Sequence, residues 1–126
     1  MFDWRRPANL GVHDGHLAPC KRTPNCVSSQ ADPGDREHYV APLAFAGSIS
    51  DLRRALEALP RVTVIREAPD YLYAEFRTPL MRYVDDVEFL KIGALLHVRS
   101  ASRLGRRDFG VNRRRVEEIR RRLLNP

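Results

Sequence analysis

The sequence predicts an α+β protein: a helix, a four-stranded antiparallel β-meander and a C-terminal helix follow a long irregular N-terminal arm. Two observations favour this class. Runs rich in β-branched and aromatic residues, separated by short turns, fill 61–102, and an amphipathic segment lies on either side of them. The 126 residues fit a single domain, which we divide into an arm at 1–47 and a body at 48–126.

The arm holds five of the nine prolines and four of the seven glycines, so that no amphipathic period is maintained along it. A structureless segment of this length is unusual in a compact protein, and we therefore expect it to wrap around the body. The apolar side chains expected to anchor it are Phe2, Trp4, Leu10, Val12, Val40 and Leu43.

The body begins with a helix predicted at 49–59, where Ser48 and Asp51 resemble a capping box and Pro60 ends the helix. Turn residues then separate four predicted strands, at 61–66, 71–77, 82–90 and 95–102. A final helix is predicted at about 111–124, with Asp108 or Asn112 as its N-terminal cap. Its buried stripe is expected to contain Val116, Ile119, Leu123 and Leu124.

The hydrophobic pattern also predicts a register for the last hairpin, in which a four-residue loop at 91–94 pairs Leu90 with Leu95. One face, which the helices are expected to cover, receives the pairs Phe89–Leu96, Val87–Val98, Asp85–Ser100 and Tyr83–Ser102. The other face is expected to meet solvent and receives the pairs Glu88–His97 and Asp86–Arg99.

Asp85 is the most informative polar residue, because this register places its carboxylate on the apolar face. A buried carboxylate is costly unless it is paired, and we predict an ion pair with Arg103 or Arg113. Either the carboxylate ties the C-terminal loop and helix to the sheet, or it belongs to a polar ligand-binding pocket at the edge of the sheet. The candidate pocket residues are Asp85, Ser100, Ser102, Arg103, Asn112 and Arg113.

Cys20 and Cys26 flank a proline-containing loop and form either a reduced, packed pair or a local disulfide. A zinc site is an alternative, because His13 and His16 precede the cysteines and thiolates with imidazoles suit zinc. The spacing His-x2-His-x3-Cys-x5-Cys matches no standard zinc finger, however. A cysteine nucleophile is a third interpretation, although nothing in the sequence places a base beside it.

The formal net charge is +6, and 20 of the 22 basic residues are arginine, which pairs bidentately with carboxylate or phosphate. This charge is compatible with nucleic acid, an acidic surface or a small anion, and selects none of them. The clusters at 113–115 and 120–122 lack interleaved aromatic residues and any helix-turn-helix or finger spacing, so we expect no specific nucleic-acid partner. The longest apolar runs are too short for a membrane span.

Three stretches carry recognisable motifs: LAPCKRTPNCVSSQ at 17–30, YLYAEFRTP with YVDDVEF at 71–79 and 83–89, and VRSASRLG with DFGVNR at 98–105 and 108–113. Together they resemble the bacterial and plastid family catalogued as domain of unknown function 1499. The resemblance implies no activity, cofactor or catalytic residue. Many relatives carry an export or lipoprotein leader, whereas this N-terminus shows no apolar leader, so we expect a cytoplasmic protein with reduced cysteines.

Three functions are compatible with the sequence. The first is a non-catalytic module that binds a small anionic ligand or a protein partner, favoured by the arginine-rich third motif and the lack of a recognisable catalytic set. The second is a small enzyme that uses the Asp85, arginine and serine cluster or a cysteine. The third is a non-specific binder of nucleic acid or acidic surfaces, which rests on charge alone. No cofactor is implied by any of them.

Overall fold

The computed structural model describes residues 5–105 and 107–124. Its helices are α1, Ile49–Glu57, and α2, Val111–Leu124; its strands are β1, Cys26–Ser28; β2, Leu43–Ala44; β3, Val62–Ala68; β4, Tyr71–Arg77; β5, Val84–Ile92; and β6, Leu95–Ser102. The predicted α+β class is confirmed. Every boundary of the two helices and four long strands lies within about two residues of its predicted position.

All strand pairs are antiparallel, and the described strands form one sheet in the order β1-β6-β5-β4-β3, with β2 also pairing to β6. The strands β1 and β2 belong to the arm and were not predicted, because segments of three and two residues carry no measurable period. Pairing of Val27 with Ser100 makes the arm an integral edge of the sheet.

Both helices pack on one face of the sheet, as the amphipathic patterns predict, although Leu124, which was expected in the buried stripe of α2, is exposed. The predicted capping box of α1 is present. The Ser48 side chain accepts a hydrogen bond from the Asp51 backbone N–H, and the Asp51 side chain accepts one from the Ser48 backbone N–H. Of the two predicted caps of α2, Asp108 precedes the helix and its carboxylate accepts the Asn112 backbone N–H at 3.0 Å, whereas Asn112 lies within the helix. The core between the layers includes Leu52, Leu56, Val87, Phe89, Leu96, Val98, Val116 and Ile119.

The N-terminal arm covers the opposite face of the sheet. Leu17 of the arm packs against Tyr71, Tyr73 and Leu90, and Leu10 lies partly buried beside this cluster. Among the other predicted anchors, Val40 and Leu43 are buried and Val12 is exposed; Phe2 and Trp4 lie outside the described residues. The sheet is therefore covered on both faces, and β4 and β5 are buried over almost their whole length.

The predicted register of the last hairpin is wrong by two residues. The strands continue to a two-residue turn, so that Ile92 pairs with Leu95 and Val87 pairs with Ser100. Gly93 permits this turn because it adopts a positive φ of 62°, as the first position of a type II′ turn requires. A shift of two residues preserves the faces, so Val87 and Val98 still lie on the helix-covered side.

The cross-strand pairs change with the register. Glu88 lies opposite Arg99 rather than His97, and Asp86 lies opposite Ala101 rather than Arg99. Asp85 lies opposite Ser102 rather than Ser100. The expectation that the face carrying Asp86 and Glu88 meets solvent is also wrong, because both residues are buried beneath the arm.

Candidate functional site

Asp85 lies on the helix-covered face and is buried, as its position in the alternating pattern predicts. Its Oδ2 atom lies 2.7 Å from Nη1 of Arg115. The predicted partners, Arg103 and Arg113, are wrong. Burial raises the pKa of the Asp85 carboxyl, and the neighbouring Arg115 charge offsets only part of that effect.

The two predicted arginines point elsewhere for geometric reasons. Arg103 follows β6 on the face of Arg99, away from Asp85, and it contacts carboxylates beneath the arm. Arg113 is two residues from Arg115 on α2, which places the two side chains about 200° apart around the helix. Its guanidinium donates to the backbone carbonyls of Tyr39 at 2.8 Å and Arg36 at 3.0 Å, and so ties α2 to the arm.

Three more predicted residues join Asp85 in a polar cluster between β6 and α2. The Ser100 hydroxyl donates to Asn112 Oδ1 at 2.6 Å, and Asn112 Nδ2 donates to the Ser102 hydroxyl at 2.8 Å. Asn112 Nδ2 also lies 2.7 Å from Asp108 Oδ2. These bonds connect the sheet to the start of α2, so the cluster has a clear structural role.

A second polar cluster lies beneath the arm and was not predicted. It contains three buried carboxylates, those of Glu75, Asp86 and Glu88. Arg103 bonds to both oxygens of Asp86, at 2.9 Å from Nε and 2.9 Å from Nη2, and its Nη2 also lies 2.6 Å from Glu75 Oε2. Arg6 of the arm donates to the same Glu75 oxygen at 2.7 Å. The arm and the residue that follows β6 thus supply cations that compensate acidic residues of β4 and β5.

Two tyrosines complete this network as hydrogen-bond donors. The Tyr73 hydroxyl donates to Asp86 and lies 3.1 Å from Glu75 Oε2, and the Tyr71 hydroxyl donates to Glu88. Burial, with the adjacent carboxylates, raises the pKa of both phenols well above the usual value, so they remain protonated. Burial by itself would raise the pKa of Glu75. The hydrogen bonds that Glu75 accepts from Arg6, Arg103 and Tyr73 outweigh burial, so the net pKa of Glu75 is lowered.

Arg99 differs from the other members because its donors are incompletely used. Its side chain is only 5% exposed, and its Nη1 lies 3.9 Å from Glu88 Oε1, beyond hydrogen-bond distance. Nη2 donates to the Pro19 carbonyl at 3.3 Å. The Nε donor has no hydrogen-bond partner among the described residues. Burial lowers the pKa of the Arg99 guanidinium, and the nearby Glu88 carboxylate acts against that shift.

Arg99 lines a cavity of about 450 Å³ between the arm and the sheet, which we call the arm cavity. The volume lies within the usual range for small-molecule sites. Asp86 is its one lining carboxylate among the described residues, and both of its oxygens are bonded to Arg103. The cationic lining residues are Arg5, Arg6, Lys21, Arg99 and Arg103.

The structure joins Cys20 and Cys26 in a disulfide, with a Cα–Cα distance of 5.6 Å. The expected reduced pair is therefore wrong, and neither sulfur is a thiolate that could bind zinc or act as a nucleophile. His13 and His16 instead bond to each other through their backbones. Within the described ranges, no group of three or more histidine, cysteine or acidic side chains is arranged to hold a metal ion.

No helix in the described part of the chain is both long enough and apolar enough to cross a membrane. A family model with the description "Protein of unknown function (DUF1499)" matches residues 16–123. Neither the curated proteins nor the solved structures include a significant match to the chain.

Proposed function

The chain belongs to the DUF1499 family of proteins of unknown function, and we propose that it is a non-catalytic module that binds a small oxyanion in the arm cavity. The ligand class is a phosphate or carboxylate compound small enough for about 450 Å³. Because the family carries no assigned activity, the proposal rests on the contents of this cavity.

The observation that carries the proposal is the Nε donor of Arg99, which is buried without a hydrogen-bond partner among residues 5–105 and 107–124. A buried donor left unsatisfied costs on the order of 1–3 kcal/mol. The same side chain lines the arm cavity, and an oxyanion that came within hydrogen-bond distance of Nε would satisfy it with a charge-assisted bond. Burial also disfavours the charged form of Arg99, and a bound anion would offset that penalty.

The charge of the lining supports an anionic ligand. The lining has five cationic side chains and one carboxylate, which already accepts two bonds from Arg103. Arg6 and Arg103 also pair with Glu75, and Arg99 lies beside Glu88, so the uncompensated positive charge lies at the exposed part of the lining. Lys21 lies at the exposed part of the lining, where it can attract an anion from solvent and contact it after binding.

The same contacts favour binding over catalysis. A general base must be able to approach a substrate proton, whereas Asp86 is enclosed by Arg103 and the Tyr73 hydroxyl. Glu75 is held in the same way by Arg6 and Arg103. The Tyr73 hydroxyl is held as a protonated donor to Asp86, and the Tyr71 hydroxyl as one to Glu88. Asp86 and Glu75 are therefore not free to accept a proton from a substrate.

Thermal unfolding in sodium phosphate, compared with sodium chloride at equal ionic strength, tests the proposal. A ligand that binds only the folded state stabilises it by about 2.7 kcal/mol at a concentration near 100 times Kd. We expect phosphate to raise the unfolding temperature of the wild type progressively. Lys21→Gln, which removes a cation of the lining, should weaken this effect.

Arg22→Gln is the matched control, because Arg22 is an adjacent exposed cation that does not line the cavity. It should respond to phosphate as the wild type does. Equal responses of Lys21→Gln and Arg22→Gln would show that phosphate acts through general charge rather than through this cavity. No response of the wild type to phosphate, or to citrate as a carboxylate probe, would refute the proposal.

A further inference from the structure

Three large apolar side chains project into solvent from two loops at one end of the sheet. Leu80 is 97% exposed and Met81 is 62% exposed on the loop between β4 and β5, and Phe109 is 84% exposed on the loop between β6 and α2. Met81 and Phe109 line the same cavity of about 460 Å³, which shows that the two loops are neighbours. We call Leu80, Met81 and Phe109 the loop-tip patch. Clustered exposure of this kind marks an interaction surface.

The backbone holds the patch in an unfavourable but well-bonded conformation. Leu80 has a φ of 65° and Phe109 has a φ of 54°, values that bulky residues rarely adopt. The Arg114 guanidinium donates to the Phe109 carbonyl at 2.8 Å, and the Arg82 backbone N–H donates to the Thr78 carbonyl at 3.1 Å. Such conformations persist where surrounding bonds impose them and are frequent at functional sites.

Most of the exposed charges around the patch are positive; Glu37, which lines a cavity with Phe109, is an exposed carboxylate there. Exposed arginines in and beside the two loops are Arg77, Arg82, Arg107 and Arg114. Two further carboxylates beside the loops are already bonded: Asp85 is buried against Arg115, and Asp108 accepts the backbone N–H groups of Gly110 and Asn112. The loop-tip patch therefore combines protruding apolar side chains with a cationic surround.

We infer that the loop-tip patch docks on the surface of an anionic lipid bilayer. Leu80, Met81 and Phe109 enter the boundary between headgroups and acyl chains, while Arg82 and Arg107 contact anionic headgroups. A stable protein interface commonly needs about 800 Å² on each partner, whereas this patch consists of three side chains at two protruding loop ends. A bilayer needs no complementary groove, so it suits that shape better.

Co-sedimentation of the full chain with vesicles tests the inference. The vesicles contain either phosphatidylcholine alone or phosphatidylcholine with about one third phosphatidylserine. The test variant is Leu80→Asn combined with Phe109→Asn, because asparagine tolerates a positive φ and the fold is retained. We expect the wild type to bind the anionic vesicles, and the double variant to bind at least about tenfold more weakly because two large apolar groups no longer enter the lipid.

Ile92→Ser is the matched control, since Ile92 is 50% exposed at the β5–β6 turn, at the opposite end of β5. It should bind as the wild type does, and Arg82→Gln with Arg107→Gln should weaken binding to anionic vesicles. The inference is overturned by no vesicle binding, by equal binding to neutral vesicles, or by unchanged binding of the double variant. Patch-dependent self-association without vesicle binding would assign the patch to a second copy of the chain, and would also overturn it.

Discussion

Replacement of Arg103 by alanine should destabilise the protein more than any exposed substitution. Its guanidinium is the shared partner of two buried carboxylates, with two bonds to Asp86 and one to Glu75. Removing one partner of a buried ion pair typically costs about 3–5 kcal/mol, because a desolvated charge is left behind. Glu75 keeps its bond to Arg6, so the loss falls mainly on Asp86 and should remain within that range.

Urea denaturation followed by circular dichroism measures this loss. With a typical slope of about 1–3 kcal/mol per molar urea, the midpoint should fall by roughly 2 M while the slope is unchanged. Asp86→Asn should lose less, about 1–3 kcal/mol, because an amide still accepts a bond from Arg103.

Arg54→Ala provides the control, because Arg54 is paired with Asp51 at the exposed surface of α1 and such pairs contribute little. Its midpoint should stay close to that of the wild type. If Arg103→Ala lost no more stability than Arg54→Ala, the carboxylates beneath the arm would have to be solvated, and the buried network described above would be refuted.

Three further predictions concern other parts of the fold. Asp85→Ala should cost about 3 kcal/mol in urea denaturation, because it leaves Arg115 with an unpaired, largely buried charge; a loss as small as that of Arg54→Ala would contradict this. Burial acts to lower the pKa of His38, but its bonds to the Thr23 carbonyl and the Asp35 carboxylate raise the net pKa above the usual value of about 6.5. The resulting stabilisation should be fully present below about pH 6.5 and lost as pH rises through the folded pKa, so wild type and His38→Gln should converge in stability at alkaline pH. Reduction of the Cys20–Cys26 disulfide should cost about 2–3 kcal/mol from loop entropy, and equal unfolding midpoints with and without reductant would contradict it.

The fold was predictable where local patterns determine it. The capping box at Ser48 fixes the start of α1, and alternation along β5 places Val87 and Phe89 against the helices. The register of the last hairpin was not predictable from that alternation, because a shift of two residues gives the same faces. The register depends on the length of the turn. The structure has a two-residue turn, which the positive φ of Gly93 allows, but a four-residue loop would satisfy the same hydrophobic pattern.

The cover of the second sheet face could not be predicted from the strands. Asp86 and Glu88 alternate with apolar residues as they would on a strand with one solvated face. Their burial depends on the arm, whose contact with the sheet is non-local: Gly11, for example, donates its backbone N–H to Glu88 at 2.7 Å. A run of aromatic and acidic residues at Tyr71, Tyr73 and Glu75 on the same face was the available signal that this face is not simply solvated.

The candidate site was predicted only in part, for the same reason. Asp85, Ser100, Ser102 and Asn112 come together, but the partner Arg115 was missed because the helix was positioned by its apolar stripe alone. Alternation along β6 places Arg99 and Arg103 on the face of Asp86. Arg103 therefore lies on the opposite side of the sheet from Asp85, with which it was grouped on the basis of the sequence. The arm cavity itself requires the position of the arm, which no local pattern specifies.

Calorimetric titration of phosphate into the wild type and into Arg99→Lys tests the central claim most directly. Lysine preserves the charge opposite Glu88 but lacks the Nε–H and the planar guanidinium. Arg113→Lys is the control, since Arg113 also bonds to arm carbonyls but does not line the arm cavity. We predict saturable binding by the wild type and Arg113→Lys, and affinity at least about tenfold lower for Arg99→Lys, the loss of roughly one charged hydrogen bond. Equal affinity of all three proteins, or no saturable binding by the wild type, would contradict an oxyanion site at Arg99.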